Sequence, residues 1–277
     1  MPRSGHPLEI HKFGGASLAN GAAMAHAVSV IRAQRPTPLV VVVSAMAGVT
    51  DALLDLAGAA VRGDADGARA TLDRLAAQHR AAVAALVRAG TRAEELLQAI
   101  DGAFAEVEPL AAGLRVLREL TPRTTDYLVA RGEYLSARIV AAALDTAGCA
   151  AAYVDAVAVI HTDGTFGNAS PDLGRTERSA RRVLRPLLAR GVVPVVPGFL
   201  GAAPDGQAVT LGRGGSDLTA TLLARALSAR EVSLWKDVPG VLTADPRIVP
   251  DARVIPQLHV REAAELEIGR ASCRERV

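Results

Sequence analysis

Only two lysines occur in a chain with 29 arginines, and both stand where a β-like run gives way to a loop. Lys12 opens "KFGGAS", with Phe13, Gly14, Gly15 and Ser17, and Lys236 opens "KDVPGVLTADPR", with Asp237, Leu242, Asp245 and Arg247. A glycine pair lets backbone approach an anion closely, and a following helix start adds partial positive charge of about 0.3–1 kcal/mol at an exposed site. Lysine is a compact, mobile point charge that can follow a moving phosphoryl group, whereas arginine favours fixed bidentate geometry. A Gly-Gly turn beside an incidental surface lysine is the competing reading of "KFGGAS", and a solvated loop is that of Lys236.

A third loop, "LGRGGSD", sets Arg213 between glycines and places Gly214, Gly215, Ser216 and Asp217 at a helix entry. The glycine amides can face a carboxylate or phosphate, and Arg213 can clamp a carboxylate. Asp217 can cap the helix, a role that leaves an arginine inside a glycine run unexplained. "SAMAGVT" offers Ser44 and Thr50 around a small-residue loop, and "ARGEYLSA" puts Glu133 on a helix beside Arg131. By itself Glu133 reads more readily as a surface ion-pair partner than as a site residue. There is no P-loop, no G-x-G-x-x-G after the first strand, no G-x-S-x-G elbow and no H-E-x-x-H, and His11 reads as a strand residue rather than a base.

Positioning these loops calls for strands that end at them. Runs such as "PLVVVVS", "GVVPVVPGF" and "EVSLW" alternate with Ala/Leu-rich helical segments, which predicts a mostly parallel sheet with helices on both faces and ligands beyond the strands' carboxyl ends. The reading places a strand at Leu8–Phe13, a helix over Leu18–Gln34, strands at Ala151–Asp155 and Val157–Thr162, and a hairpin turn at Pro204–Gln207. Residues 64–119 read as an inserted helical hairpin broken near Gly90 and Pro109. The six arginines of Arg175–Arg190 read as a solvated helix face.

With 277 residues, half of them apolar, one domain is expected. A net charge of +2 and 3% aromatics leave little for a nucleic-acid surface. Cys149 and Cys273 form neither a disulfide framework nor a zinc spacing, which points to a reducing cytoplasm, with no protein-held metal. No run is long enough for a membrane span or a signal peptide. The last residues, "EIGRASCRERV" (267–277), abandon the preceding pattern and read as a foreign tail, leaving 7–266 as the domain.

Together "KFGGAS", "VVVSAMAGVTD", "RGEYLSA", "PGFLG", "TLGRGGSD" and "LWKDVPGVLTADPRIVPDA" resemble the catalytic domain of aspartate kinases, within the wider amino-acid kinase family; the last stretch is most similar to the kinase half of bifunctional aspartate kinase–homoserine dehydrogenases. The resemblance implies a three-layer αβα sandwich around a mostly parallel sheet. It implies transfer of the γ-phosphoryl of ATP, with Mg²⁺, to the β-carboxylate of L-aspartate, the first step of lysine, threonine and methionine biosynthesis. Lys12, Phe13, Gly14, Gly15, Ser17, Lys236, Asp237, Leu242, Asp245 and Arg247 would then hold the nucleotide. Ser44, Thr50, Glu133 and Arg213 to Ser216 would hold aspartate, with Glu133 at its ammonium and Arg213 at its α-carboxylate. Lys12 would neutralise the transferring group, and Asp217 would orient Lys12 or the metal shell rather than accept a proton. Ala16 and Lys236 depart from the family, where Thr, and Thr or Ser, are common. A homo-oligomer is expected of the full-length protein. Kinases of the same fold acting on glutamate or N-acetylglutamate, and a binding-only fragment, are the alternatives.

Overall fold

The structure, a computed structural model, describes residues 7–35, 37–236, 238, 240–259 and 261–262. Asp237 and the proposed foreign tail lie outside the described residues. The chain divides into two compact units, Met1–Trp235 and Lys236–Val277.

The first unit is built on five parallel strands: β1 (Glu9–Phe13), β2 (Leu39–Val43), β3 (Ala151–Tyr153), β4 (Val193–Pro197) and, closing the unit, the strand Glu231–Trp235. A separate two-stranded antiparallel ribbon pairs β5 (Leu200–Ala202) with β6 (Ala208–Thr210), so the closing strand is β7. The order across the main sheet is β3-β4-β2-β1-β7. The chain thus passes from β1 to its neighbour β2, out to β3, back to β4 between them, and finally to the other side of β1 as β7. Such a reversal opens a crevice at the strands' carboxyl ends. Every residue of β2 is fully buried, as expected of a central parallel strand apolar on both faces.

Among the described residues eight α-helices pack around the sheet: α1 (Gly21–Ala33), α2 (Val49–Arg62), α3 (Ala65–Leu86), α4 (Thr91–Ala105), α5 (Val107–Leu117), α6 (Pro122–Thr146), α7 (Leu173–Ala189) and α8 (Gly215–Leu227). One core joins Phe13, Leu39, Val41 and Val43 to α1, α2, α3 and α6. The other joins Ile10, Val40 and Val42 to α7, α8 and the β5–β6 ribbon. The result is three layers, α/β/α.

Four local expectations need correction. The helix expected from Leu18 is a 3-10 turn, Ala16–Leu18, followed by α1, whose start is set by Asn20 accepting from the Ala23 amide at 3.0 Å. The segment 64–119 forms three helices rather than a hairpin. Its second break falls at Glu106, because Pro109 lies in the first turn of α5, where a missing N–H goes unnoticed. Val157–Thr162 is not a strand: Asp155 caps a 3-10 turn over Ala156–Ala158, and only single bridges follow at His161 and Thr162. The strand expected to reach Asp155 ends at Tyr153 for the same reason. The ribbon turns at Pro204–Gln207 as expected, with Gly206 at φ 86° and Asp205 accepting from the Gln207 amide at 3.0 Å.

Candidate active site

Three strand ends and two helix starts enclose a cleft of about 370 Å³ in the first unit. Lys12 and Gly15 enter it from the end of β1, Ser44 to Thr50 from the turn between β2 and α2, and Gly212 to Asp217 from the turn before α8. Glu133 reaches it from the middle of α6.

Lys12 is 6% exposed, and its Nζ pairs with Asp217 Oδ1 at 2.7 Å. Its neighbour Phe13 points to the opposite side of β1 and stacks on Trp235, so its ring does not reach the cleft. Gly14 donates its N–H to the Trp235 carbonyl at 3.4 Å. Ser17 sits in the 3-10 turn, outside the cleft lining. A Cβ on Gly15 would stand 3.2 Å from the Ala45 carbonyl, so the glycine lets the β1 and β2 turns close on each other.

Of the two helix starts expected at the site, that of α8 is there and that of α1 is not. Because α1 begins at Gly21 under its own Asn20 cap, its dipole does not serve the Gly14 turn. The start of α2 joins that of α8 at the cleft, capped by Gly48 at φ 74° and Gly214 at φ 75° respectively, neither with a side chain to occupy the free amides. Among the described residues the amides of Thr50, Asp51 and Ser216 have no hydrogen-bond acceptor. Such N–H groups attract anions.

Glu133 is 4% exposed and its Oε2 has no hydrogen-bond partner. Burial raises its carboxyl to about 8, against the opposing pull of the Ala45 amide and the Lys12 ammonium. Helix α6 comes this close because a Cβ on Gly132 would lie 2.9 Å from both Ala45 and Val49 side chains. Buried Asp126, further up α6, accepts from Gly167 N at 2.9 Å, Thr210 N at 2.9 Å and Thr210 Oγ1 at 2.7 Å. One carboxylate thereby registers α6, which carries Glu133, against β6, which runs into Arg213. Arg213 is exposed and forms no ion pair among the described residues.

Phe199 and Asp51 also line the cleft, and the sequence reading names neither as a site residue. Phe199 holds φ 70°, fixed by its amide donating to Thr219 Oγ1 at 3.1 Å and its carbonyl accepting from Leu211. Nothing in "PGFLG" marks a phenylalanine for a left-handed backbone. Asp51, in the first turn of α2, was legible as an acid next to Thr50 but was not weighed.

In the second unit Asp245 and Arg247 spend their charges on each other. Arg247 Nη2 lies 2.7 Å from Asp245 Oδ2, and this pairing holds the Asp245 carboxyl down at about 2. Leu242 bridges Val254 in an antiparallel step, and Lys236 is exposed.

These features define an α/β protein whose parallel strands end at a cleft lined by a lysine, an arginine, bare helix-start amides and one buried carboxyl. The model of the amino acid kinase family matches residues 7–272, and the chain belongs to that family. It is 37% identical over 260 residues to aspartokinase 1, chloroplastic, of Arabidopsis thaliana, covering 93% of this chain and 45% of the relative. To lysine-sensitive aspartokinase 3 of Escherichia coli (strain K12) it is 36% identical over 264 residues, covering 94% and 55%. The crystal structure of E. coli aspartokinase III with aspartate and ADP matches with a TM-score of 0.80 at 33% identity, over 90% of this chain and 53% of that one. The chain spans about half the length of the curated relatives it matches.

Proposed function

We propose that this chain carries the catalytic unit of an aspartate kinase, which moves the γ-phosphoryl group of ATP to the β-carboxylate of L-aspartate in the route to lysine, threonine and methionine. The observation that carries the reading is Glu133: a buried carboxyl with an unpartnered oxygen, in the same cleft as Lys12 and the unpaired Arg213. A dicarboxylate amino acid with one ammonium matches that set, with Glu133 at the ammonium and Arg213 at the α-carboxylate. Ser44, Thr50 and Gly214 to Ser216 supply hydroxyls and amides around it.

The attacking group needs no base, because a side-chain carboxylate is ionised at neutral pH. A carboxylate oxygen forms a bond to the γ-phosphorus, the bond from that phosphorus to the bridging oxygen breaks, and ADP leaves with its electron pair. No proton moves. The barrier is the approach of two anions, so positioning and charge neutralisation carry the rate. Lys12, steered by Asp217, supplies mobile positive charge, and the starts of α2 and α8 supply fixed dipoles. Lys236, Asp237, Leu242, Asp245 and Arg247 remain the proposed nucleotide contacts beyond the phosphates, with Gly14, Gly15 and Ser17 at the phosphate turn.

Among the described residues no three His, Cys, Asp or Glu side chains cluster to hold a metal. Asp217 and Asp51 are the cleft carboxylates that would hold an Mg²⁺ brought in with the nucleotide. The ion would neutralise phosphate charge.

Hydroxylamine trapping of the acyl phosphate tests the reading. Aspartyl hydroxamate that depends on ATP and L-aspartate, and disappears in Lys12→Ala, is the expected result. Equal product from L-glutamate would reject the acceptor. Nucleotide binding without any hydroxamate would leave a binding-only unit.

A further inference from the structure

Along β1 and β7 runs a chain of polar side chains that the chemistry above does not use. Arg230 Nη2 lies 2.5 Å from Glu9 Oε1, Glu9 Oε2 lies 3.2 Å from His11 Nε2, and the Trp235 indole N–H donates to His11 Nδ1 at 3.1 Å. An indole nitrogen can only donate. His11 Nδ1 must therefore hold the lone pair, and the ring proton sits on Nε2, facing the Glu9 carboxylate. With His11 1% exposed, its neighbours settle the tautomer, not solvent.

Trp235 is held in two further ways. Its ring lies flat on Phe13, with centroids 5.9 Å apart and planes 3° from parallel. Its carbonyl accepts the N–H of Gly14. The residue that His11 grips by its side chain thus grips, by its backbone, the first glycine after Lys12 and Phe13. Among the described residues β7 is the edge strand of the sheet and pairs with β1 alone.

We propose that His11 is a positioning residue for the phosphate-facing turn. It fixes the Trp235 indole, and the Trp235 carbonyl and the Phe13 stack then set where Gly14 stands, without His11 touching any ligand. The inference rests on the reading of Gly14 and Gly15 as the turn that meets the nucleotide phosphates.

Trp235 is the single tryptophan of the chain, so one indole N–H resonance reports the clamp directly. In His11→Phe, which keeps an aromatic ring but removes the acceptor, that proton should exchange with solvent faster and the Kd for MgADP should rise about fivefold, the size of one neutral hydrogen bond. His11→Gln, whose amide oxygen can accept, should recover part of both. Trp235→Phe, which removes the indole donor and trims the ring stacked on Phe13, should weaken MgADP by at least a similar factor, and adding His11→Phe to it should weaken binding no further. This second route keeps the test alive if His11→Phe does not fold. Unchanged indole exchange in His11→Phe would overturn the clamp. Faster exchange with unaltered MgADP binding in the variants would overturn the positioning role while leaving the kinase reading intact. A wild-type chain that binds no MgADP would remove the kinase reading and the positioning role together, with indole exchange still deciding whether the clamp exists.

Discussion

Glu133 shows how one side chain can announce its ligand. Burial pushes its carboxyl up to about 8, yet pairing with an ammonium requires the ionised form. Aspartate binding should therefore release a proton near neutrality, and the KM for aspartate should fall as pH rises from about 6.5 to 8.5. Glu133→Gln should raise that KM by at least about tenfold and flatten its pH profile, in keeping with loss of a charged hydrogen bond. Stability carries the opposite sign. A carboxyl held above its unfolded value of 4.5 lends stability at low pH that drains away as pH climbs toward 8. Thermal scans of the ligand-free protein should show Glu133→Gln gaining on the wild type across that window, and parallel curves would contradict the shift. Asp217→Asn, which leaves a neutral partner 2.7 Å from Lys12, should lower kcat by about ten- to a hundredfold through loss of orientation. The two lysines were conspicuous in the sequence by their rarity. The character of Glu133 was not, because burial and an empty oxygen depend on Gly132 letting α6 approach the β2–α2 turn.

At the scale of elements, the cleft depends on which helices aim their starts at it. Sequence periodicity located α1 but not the 3-10 turn before it, since three residues are too few to show a period. Asn20 ahead of Ala23 was the available sign of a later start. The glycines of "GRGGSD" were legible as a close approach, but the partner was not: a Cβ on Gly215 would stand 2.7 Å from Phe199 Cδ2. Gly215→Ala should push that ring into the cleft, raising aspartate KM and lowering stability by about 1–3 kcal/mol, as overpacking does. A measured KM equal to wild type would show that the ring does not border the acceptor. Asp126 is the hinge pin between α6 and β6. Asp126→Ala strands the Thr210 and Gly167 donors in a buried setting and should cost about 3 kcal/mol or more, whereas Thr210→Val removes one bond and should cost about 1 kcal/mol. Urea midpoints at constant m-value separate the two.

For the whole molecule, the apolar runs made the parallel sheet legible, while the order β3-β4-β2-β1-β7 was not, because every strand that is apolar on both faces fits any interior position. The amides of Val41 to Val43, buried between both cores, should exchange with solvent only through global unfolding, and those of edge strand β7 much sooner. MgADP at a hundred times its Kd should raise stability by about 2.7 kcal/mol. A melting temperature indifferent to MgADP would speak against any nucleotide site. The two glycine-capped helix starts carry a practical corollary: Gly48 and Gly214 leave amides bare for whichever anion comes first. Sulfate or phosphate buffer should therefore act as a competitive inhibitor, and kinetic constants taken in such media would understate this protein's grip on its ligands relative to a zwitterionic buffer.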